Sequence, residues 1–215
     1  MMFNFSSKTF VGKDYKVSDF LTQIKANKEV KDDAKKIMSI VFQNVINAKS
    51  LNAEEDKEYQ NIYVIRLVLK ERLIPQLFIE ELDKNISFHT FFICECNGEF
   101  ATIIAYKETG LKVKIDSKYY ISNFKKQQFV DVPMINKVKD IYKFILSYEI
   151  GISTRANESP SDYIKRIKAI NKLSFQISKT ESGIVYETQP KKKFEYNERL
   201  RKYKKELEKL MRMEK

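Results

Sequence analysis

Near the end of the chain, Tyr196, Leu200, Tyr203, Leu207 and Leu210 follow one another at alternating steps of four and three. That spacing draws one narrow apolar seam along an α-helix, as in a strand of a coiled coil. Around the seam the residues are charged and mostly basic, from Lys191-Lys192-Lys193 through Arg199, Arg201 and Lys202. A helix of this kind cannot bury its seam alone, so it needs a partner within the chain or outside it.

A partner stands upstream. Ser159-Pro160-Ser161-Asp162 is a strong helix start, with a capping hydroxyl followed by proline in the first turn. Beyond it Tyr163, Ile167, Ile170 and Ile177 keep steps of four, three and seven, with Ser174 in the intervening seam position. This helix is expected to run to about Lys179. A link from Glu181 to Pro190 follows, containing Gly183 and a short extended run, Ile184-Val185-Tyr186. Two seams of matching length joined by a short link predict an antiparallel helical hairpin, coiled-coil-like, over residues 159–215. What the last helix then offers to the outside is its charged surface. The small polar segment 152–158 reads as a hinge, and residues 1–151 as an α+β body.

The body reads as alternating elements. Residues 1–16, with Phe3, Phe5, Phe10 and Val11, form an extended arm. Ser18 caps a helix that carries Phe20, Leu21 and Ile24 on one face. Ala34, Ile37, Met38, Val41, Phe42, Val45 and Ile46 repeat at helical spacing and predict a second helix from Val30 to Ala48. Leu51 to Gln60 is an acidic connector, and Asn61 to Lys70 is a β-branched strand. Pro75 opens a short helix that ends near Asn85. Two strands, Phe88–Cys96 and Glu99–Lys107, flank Asn97-Gly98, a hairpin turn in which both positions favour positive φ. Leu111 to Ile115 runs on as a strand towards Tyr119-Tyr120-Ile121. Pro133 opens a helix from Met134 to Tyr148, closed by Gly151. The expected body is a four-stranded, largely antiparallel sheet with helices packed on one face.

Charge narrows the class of partner. Residues 155–215 hold 17 Lys/Arg against 9 Asp/Glu, whereas residues 1–154 hold 23 against 20. The basic excess therefore sits in the hairpin, where it suits a polyanion, DNA or RNA, or an acidic protein face; a solvated lysine-rich helix gives the same composition. Cys94 and Cys96 lie two apart on a strand and read as free buried thiols. With them and one histidine, a Cys/His zinc site lacks ligands. No signal peptide opens the chain and no apolar run approaches the roughly 20 residues of a membrane span, so a cytoplasmic protein is expected.

Catalytic signals are sparse. No Gly-rich segment precedes a helix, which excludes a phosphate loop and leaves no cofactor site. His89 sits in an apolar strand, where a satisfied core or edge histidine is the ordinary role. One enzymatic arrangement merits statement: Asp116-Ser117-Lys118 with Glu95 or Glu99 on neighbouring strands. Two such carboxylates hold Mg²⁺ while the lysine polarises the attacking water in metal-dependent nucleases. The basic run at Lys191, Lys192, Lys193, Arg199, Arg201 and Lys202, with Phe194 and Tyr196 interleaved, could instead grip phosphates while an aromatic stacks, or place Tyr196 in the seam and the lysines in water.

Several stretches together resemble an uncharacterised bacterial family, the domain of unknown function DUF4391. They are Val11-Gly12-Lys13 with Lys16 and Phe20, Ile62 to Lys70, and the helix after Pro75 leading into Ile86-Ser87-Phe88. Ile104-Ala105-Tyr106-Lys107-Glu108 follows, and then Phe194 to Arg201 continuing to Lys204-Lys205-Glu206-Leu207. The family typically has a proline near the position of Lys16, so the arm departs from the pattern there. The resemblance implies company rather than chemistry, because members are typically encoded beside helicase and DNA-methyltransferase genes in restriction-like, anti-phage loci. The expected role is a non-enzymatic accessory or scaffold subunit that docks on a helicase or methyltransferase. The alternatives are a stand-alone nucleic-acid-binding protein and a Mg²⁺-dependent nuclease.

Overall fold

The computed structural model describes residues 2–109, 112–126, 128–133, 135 and 137–212. The chain divides into two compact units, Met1–Ile152 and Ser153–Lys215. Leu111 and Met134, expected to start a strand and a helix, lie outside the described residues.

In the first unit the order is β1 (Met2–Asn4), a 3-10 turn (Ser7–Thr9), β2 (Phe10–Tyr15), α1 (Val17–Gln23), α2 (Lys28–Ala34), β3 (Ile37–Asn47), α3 (Ala48–Leu51), β4 (Asn61–Leu69), α4 (Gln76–Asn85), β5 (His89–Cys96), β6 (Glu99–Glu108), β7 (Lys114–Ile121), β8 (Lys125–Lys126), β9 (Phe129–Asp131) and α5 (Val138–Ile150). The main sheet runs β2-β3-β4-β5-β6-β7, with β8 also on β6, so it has seven strands and not the expected four. Neighbours are antiparallel except β4 and β5, which are parallel and joined by the α4 crossover. A parallel pair requires such a crossover, and Pro75 at the N-cap of α4 supplies its start. β1 and β9 form a separate parallel pair.

The largest correction concerns residues 37–47, expected as helix and found as strand β3. Four of its five buried positions, Ile37, Ile40, Val41 and Asn44, fall at i, i+3, i+4 and i+7, a helical signature that only Ile46 breaks. The cause lies in two register shifts, between Ile37 and Ser39 and between Phe42 and Asn44. Each bulge adds a residue to one strand only, and that breaks the period of two. The β-branched Ile37, Ile40, Val41, Val45 and Ile46 fit the pleat better than a helix. The N-terminal arm is likewise structured, because residues 10–15 pair with β3 as the edge strand β2. Gly12 takes φ +62 within that strand's own register shift, and a Cβ there would meet the Phe10 ring at 2.5 Å. The first helix begins at Val17 with Lys16 at its N-cap, so Ser18 lies inside the first turn.

Helices cover both faces of the sheet rather than one. Phe20, Ile24, Val30, Phe78, Ile79 and Leu82 from α1, α2 and α4 pack on Ile40, Ile65, Leu67, Phe92, Cys94 and Ile103. On the opposite face α5 packs over β4, β6 and β7, burying Ile141, Tyr142, Ile145 and Leu146. Each such side chain contributes roughly 1.5–3 kcal/mol. Coverage on both sides explains why Phe91-Phe92-Ile93-Cys94 is apolar without alternation. The turn at Asn97-Gly98 takes φ +50 and +77, as its sequence demands. Cys94 and Cys96 are free and buried.

The second unit consists of α6 (Pro160–Tyr186) and α7 (Pro190–Met211), packed against each other. α6 extends past Lys179 through Ile184-Val185-Tyr186, which were expected to be an extended link. Only residues 187–189 separate the two helices. Gly183 is helical and faces the Tyr196 ring of α7, 3.5 Å from where a Cβ would stand, an ordinary contact distance. No described helix is long and apolar enough to cross a membrane.

Candidate functional site

The residues weighed for metal-dependent cleavage do not converge. Glu95 lies opposite Phe100 near the hairpin end of β5 and β6, whereas β7 runs beside Ala105 to Glu108 where it carries Asp116 and Lys118. The intervening five to seven residues of β6 separate the two groups by roughly 20 Å. Glu99 opposes Cys96 and therefore falls on the other face from Glu95. Both glutamates are engaged by arginine, Glu95 by Arg66 at 2.8 Å and Glu99 by Arg72 at 3.0 Å. Lys118 rests its ammonium over the Tyr120 ring. Among the described residues no group of three His, Cys, Asp or Glu is placed to hold a metal ion.

What the sequence hid is a buried cation in the first unit. Lys107, on β6, and Asp83, near the end of α4, form a 2.5 Å ion pair with each side chain 1% exposed. The Lys107 ammonium also donates to the carbonyls of Asp83 at 2.7 Å, Ile86 at 3.0 Å and Phe88 at 3.0 Å. These carbonyls lie at the end of α4 and just beyond it, where the helix dipole favours a positive charge, and that of Asp83 also accepts from Ile86 N at 3.3 Å. Asp83 accepts further bonds from the hydroxyls of Thr90 and, at 2.9 Å, Tyr119. Burial pulls the Lys107 pKa down, while Asp83 opposes it. Burial and the Asp83 charge push the Tyr119 phenol up. With the ammonium engaged and both charged side chains 1% exposed, the pair fastens α4 to the sheet. Beside it, Tyr142 of α5 donates to Ala105 O at 3.1 Å and accepts from Lys107 N at 2.9 Å, inserting its hydroxyl where β6 and β7 slip register.

His89 is a core histidine. Its ring stacks on Tyr59 at 4.8 Å and meets Tyr142 at 4.3 Å. Burial, reinforced by the Lys107 charge, lowers its pKa to about 4. The unfolded imidazole, near 6.5, takes up a proton that the folded one refuses, so stability is full above about 6.5 and declines as the pH falls towards 4. The accumulated loss is about 3 kcal/mol. Thermal melting of the chain between pH 7 and pH 4 measures it, and His89→Gln is expected to flatten that slope.

The second unit presents the basic surface. Ser159 caps α6 by accepting from Asp162 N at 3.1 Å. In the seam, Tyr163, Ile167 and Ile170 of α6 are buried, while Ile177 and the α7 residues Tyr196, Leu200, Tyr203, Leu207 and Leu210 are half-buried. Lys204 reaches across to Glu181 at 2.8 Å. At the other end Arg155 donates to the carbonyls of Lys209 and Leu210 at 2.9 and 3.1 Å, and Arg166 to Leu210 at 3.4 Å. These arginines occupy the negative end of the α7 dipole. Arg166 is held in turn by a two-pronged pair with Glu158, at 2.7 and 2.8 Å.

Lys191, Lys192, Lys193, Arg199, Arg201 and Lys202 are all exposed on α7. Arg201 pairs with Glu198 at 3.1 Å, and Arg199 lies over the Tyr196 ring. Among the described residues the four lysines have no ion-pair partner. The loop end of the hairpin adds Val185, Tyr186 and Phe194, exposed by 73%, 84% and 67%. Tyr186 and Val185 escaped the sequence reading because that stretch looked like a linking strand; the exposed side of a helix end gives no apolar period.

A profile of the family described as a domain of unknown function, DUF4391, matches residues 3–207. The chain belongs to that family. The DUF4391 match takes in both units and most of α7, so the hairpin is an integral part of the family's chain. No curated protein and no solved structure matches this DUF4391 chain.

Proposed function

We propose that this protein is a non-enzymatic accessory subunit whose helical hairpin is its contact arm. The observation that carries the reading is the outer surface of α7, where lysines with no ion-pair partner among the described residues stand beside an exposed aromatic tip. Exposed, uncompensated cations suit an acidic protein face or a phosphate backbone. Large exposed aromatics are typical anchors of an interface. The family resemblance implies a helicase or DNA methyltransferase of a restriction-like defence locus as the partner. The second reading, direct binding of DNA or RNA by the same surface, is favoured by Phe194 and Tyr186 lying near the lysine run.

Tagged protein recovered from its native host separates these readings. Replacing Lys191, Lys192, Lys193, Arg199, Arg201 and Lys202 with glutamine is expected to reduce recovery of partner proteins at least tenfold. The variant's helicity should match the parent, because all six side chains are exposed. Full recovery of the same partners by this variant would falsify the contact-arm reading. Recovery abolished by nuclease treatment would favour direct nucleic-acid binding.

A further inference from the structure

A groove of about 310 Å³ opens on the first unit between α1 and the end of α4. Its wall is a row of rings from adjacent strands: Tyr15 of β2, Phe42 of β3, Tyr63 of β4, and Phe88 just before β5. Tyr15 meets Phe42 at 5.1 Å, Phe42 meets Tyr63 at 5.7 Å, and Tyr63 meets Phe88 at 5.4 Å. All four are half-buried. Phe20 of α1 stacks on Phe42 at 6.0 Å and meets Tyr15 at 5.7 Å, but α1 stops at Gln23 and α4 at Asn85, so the row stays half-exposed between them. Isolated half-exposed aromatics are ordinary on a surface, but a contiguous concave row of four marks a binding site.

The lining defines what fits. No Asp, Glu, Lys or Arg lines the groove among the described residues, so the occupying group is neutral. The rings favour a flat group that can stack or meet them edge-on. Polar functions are nevertheless present in the Gln23 amide, the Ser87 hydroxyl and the phenols of Tyr15 and Tyr63. Neither phenol has a hydrogen-bond partner among the described residues. A neutral, planar group with a hydrogen-bonding edge is a nucleobase. Just outside the lining, the Lys13 ammonium lies 5.0 Å from the Tyr15 ring, where it can meet a phosphate.

We infer that this groove takes an unpaired base of a single-stranded nucleic acid, held among Tyr15, Phe42, Tyr63 and Phe88 with its backbone turned towards Lys13. A base stacked and paired in a duplex has no free face to offer these rings, whereas single strands bind by seating bases on aromatic platforms beside cations. The inference stands apart from the hairpin, because every residue it uses lies in the first unit.

The test uses the full chain and a fluorescein-labelled oligothymidine of about 15 nucleotides, followed by anisotropy at low salt. The double change Tyr15→Leu with Tyr63→Leu is expected to weaken binding on the order of ten- to a hundredfold, the loss of a stacked base. Tyr63→Phe keeps the ring and should stay within a fewfold. A 5-iodouracil-substituted strand is expected to crosslink to peptides containing Tyr15, Tyr63 or Phe88 in the unaltered protein, which reads the site even if the double variant does not fold. Crosslinks confined to residues 185–212, or unchanged affinity in a folded double variant, would overturn the proposal. So would a duplex of the same sequence binding as tightly, or thymidine monophosphate displacing the strand at equal concentration, which would make the groove a nucleotide site. The hairpin variant with six glutamines should still give the groove crosslinks, and that keeps failure here distinct from failure of the contact-arm reading.

Discussion

Lys107→Met is expected to destabilise the first unit by about 3–5 kcal/mol, the cost of leaving one member of a buried ion pair without its partner. The stranded groups are the Asp83 carboxylate and the carbonyls of Asp83, Ile86 and Phe88, all of which now bond a single ammonium. Methionine matches the length of the lysine stem but donates nothing, so packing is largely conserved and the loss is electrostatic. Against a total stability of about 5–15 kcal/mol, such a change removes a large fraction of the margin. For a unit of this size the melting temperature should fall by roughly 6–20 °C. Adding Asp83→Leu to Lys107→Met should recover part of the loss, because the unpaired carboxylate is removed as well. The recovery stays incomplete, since Thr90 and Tyr119 lose their acceptor and the carbonyls of Ile86 and Phe88 lose the ammonium. Urea unfolding of the parent, both single variants and the double variant gives the coupling directly. A single-variant loss below about 1 kcal/mol would show that Lys107 is not the fastener described.

The same residue illustrates what a sequence can and cannot disclose. Strand β4, the Asn97-Gly98 hairpin and the seam helices were legible because their signals are local: β-branched runs, a turn that requires positive φ, and a strict alternation of three and four. β3 was misread because its two bulges turn a period of two into something close to 3.6, and bulges depend on the neighbouring strand. β2 carries few apolar residues and earns its place only through pairing with β3. Lys107 closes the otherwise apolar run Ile103-Ile104-Ala105-Tyr106, and its role depends on Asp83, 24 positions away on another element. Of the candidate site, the lysine run on α7 was visible in composition alone. The exposed tip at Tyr186 and the aromatic row from Tyr15 to Phe88 were not, since one required the true end of α6 and the other the register of four strands.

Arg166→Ala should release α7 from α6. No residue of α7 is fully buried, so that helix is held by a half-buried seam and by the caps at its ends. Arg166 joins the end of α7 to the start of the unit, donating to Leu210 O, to Ser153 O at 2.9 Å and to both oxygens of Glu158. Removing it takes one of two arginines from the α7 carbonyls, leaving Arg155 on Lys209 and Leu210, and strips the Glu158 carboxylate, 8% exposed, of its main counter-charge. The expected cost is about 3–5 kcal/mol, more than so small a unit is built to spare. Helical ellipticity should fall and limited proteolysis should begin within α7, while the near-ultraviolet signal of the first unit persists. Arg166→Lys should recover little of this, because an ammonium cannot reproduce the planar two-pronged pair. The pair also sets the acid limit of the hairpin. Burial raises the Glu158 pKa, but hydrogen bonds from Arg166 and the Arg155 amide, with both arginine charges, outweigh it and hold the carboxyl below its ordinary range. A carboxylate so depressed contributes stability that is complete above its unfolded pKa, about 4.3, and is lost as the pH falls through the lower folded value. Ellipticity followed from pH 6 to pH 2 should therefore show α7 weakening below about 4.3 in the parent. Arg166→Ala should start from lower helicity and show a smaller acid step, and an acid step as large as the parent's would mean that Arg166 does not set it.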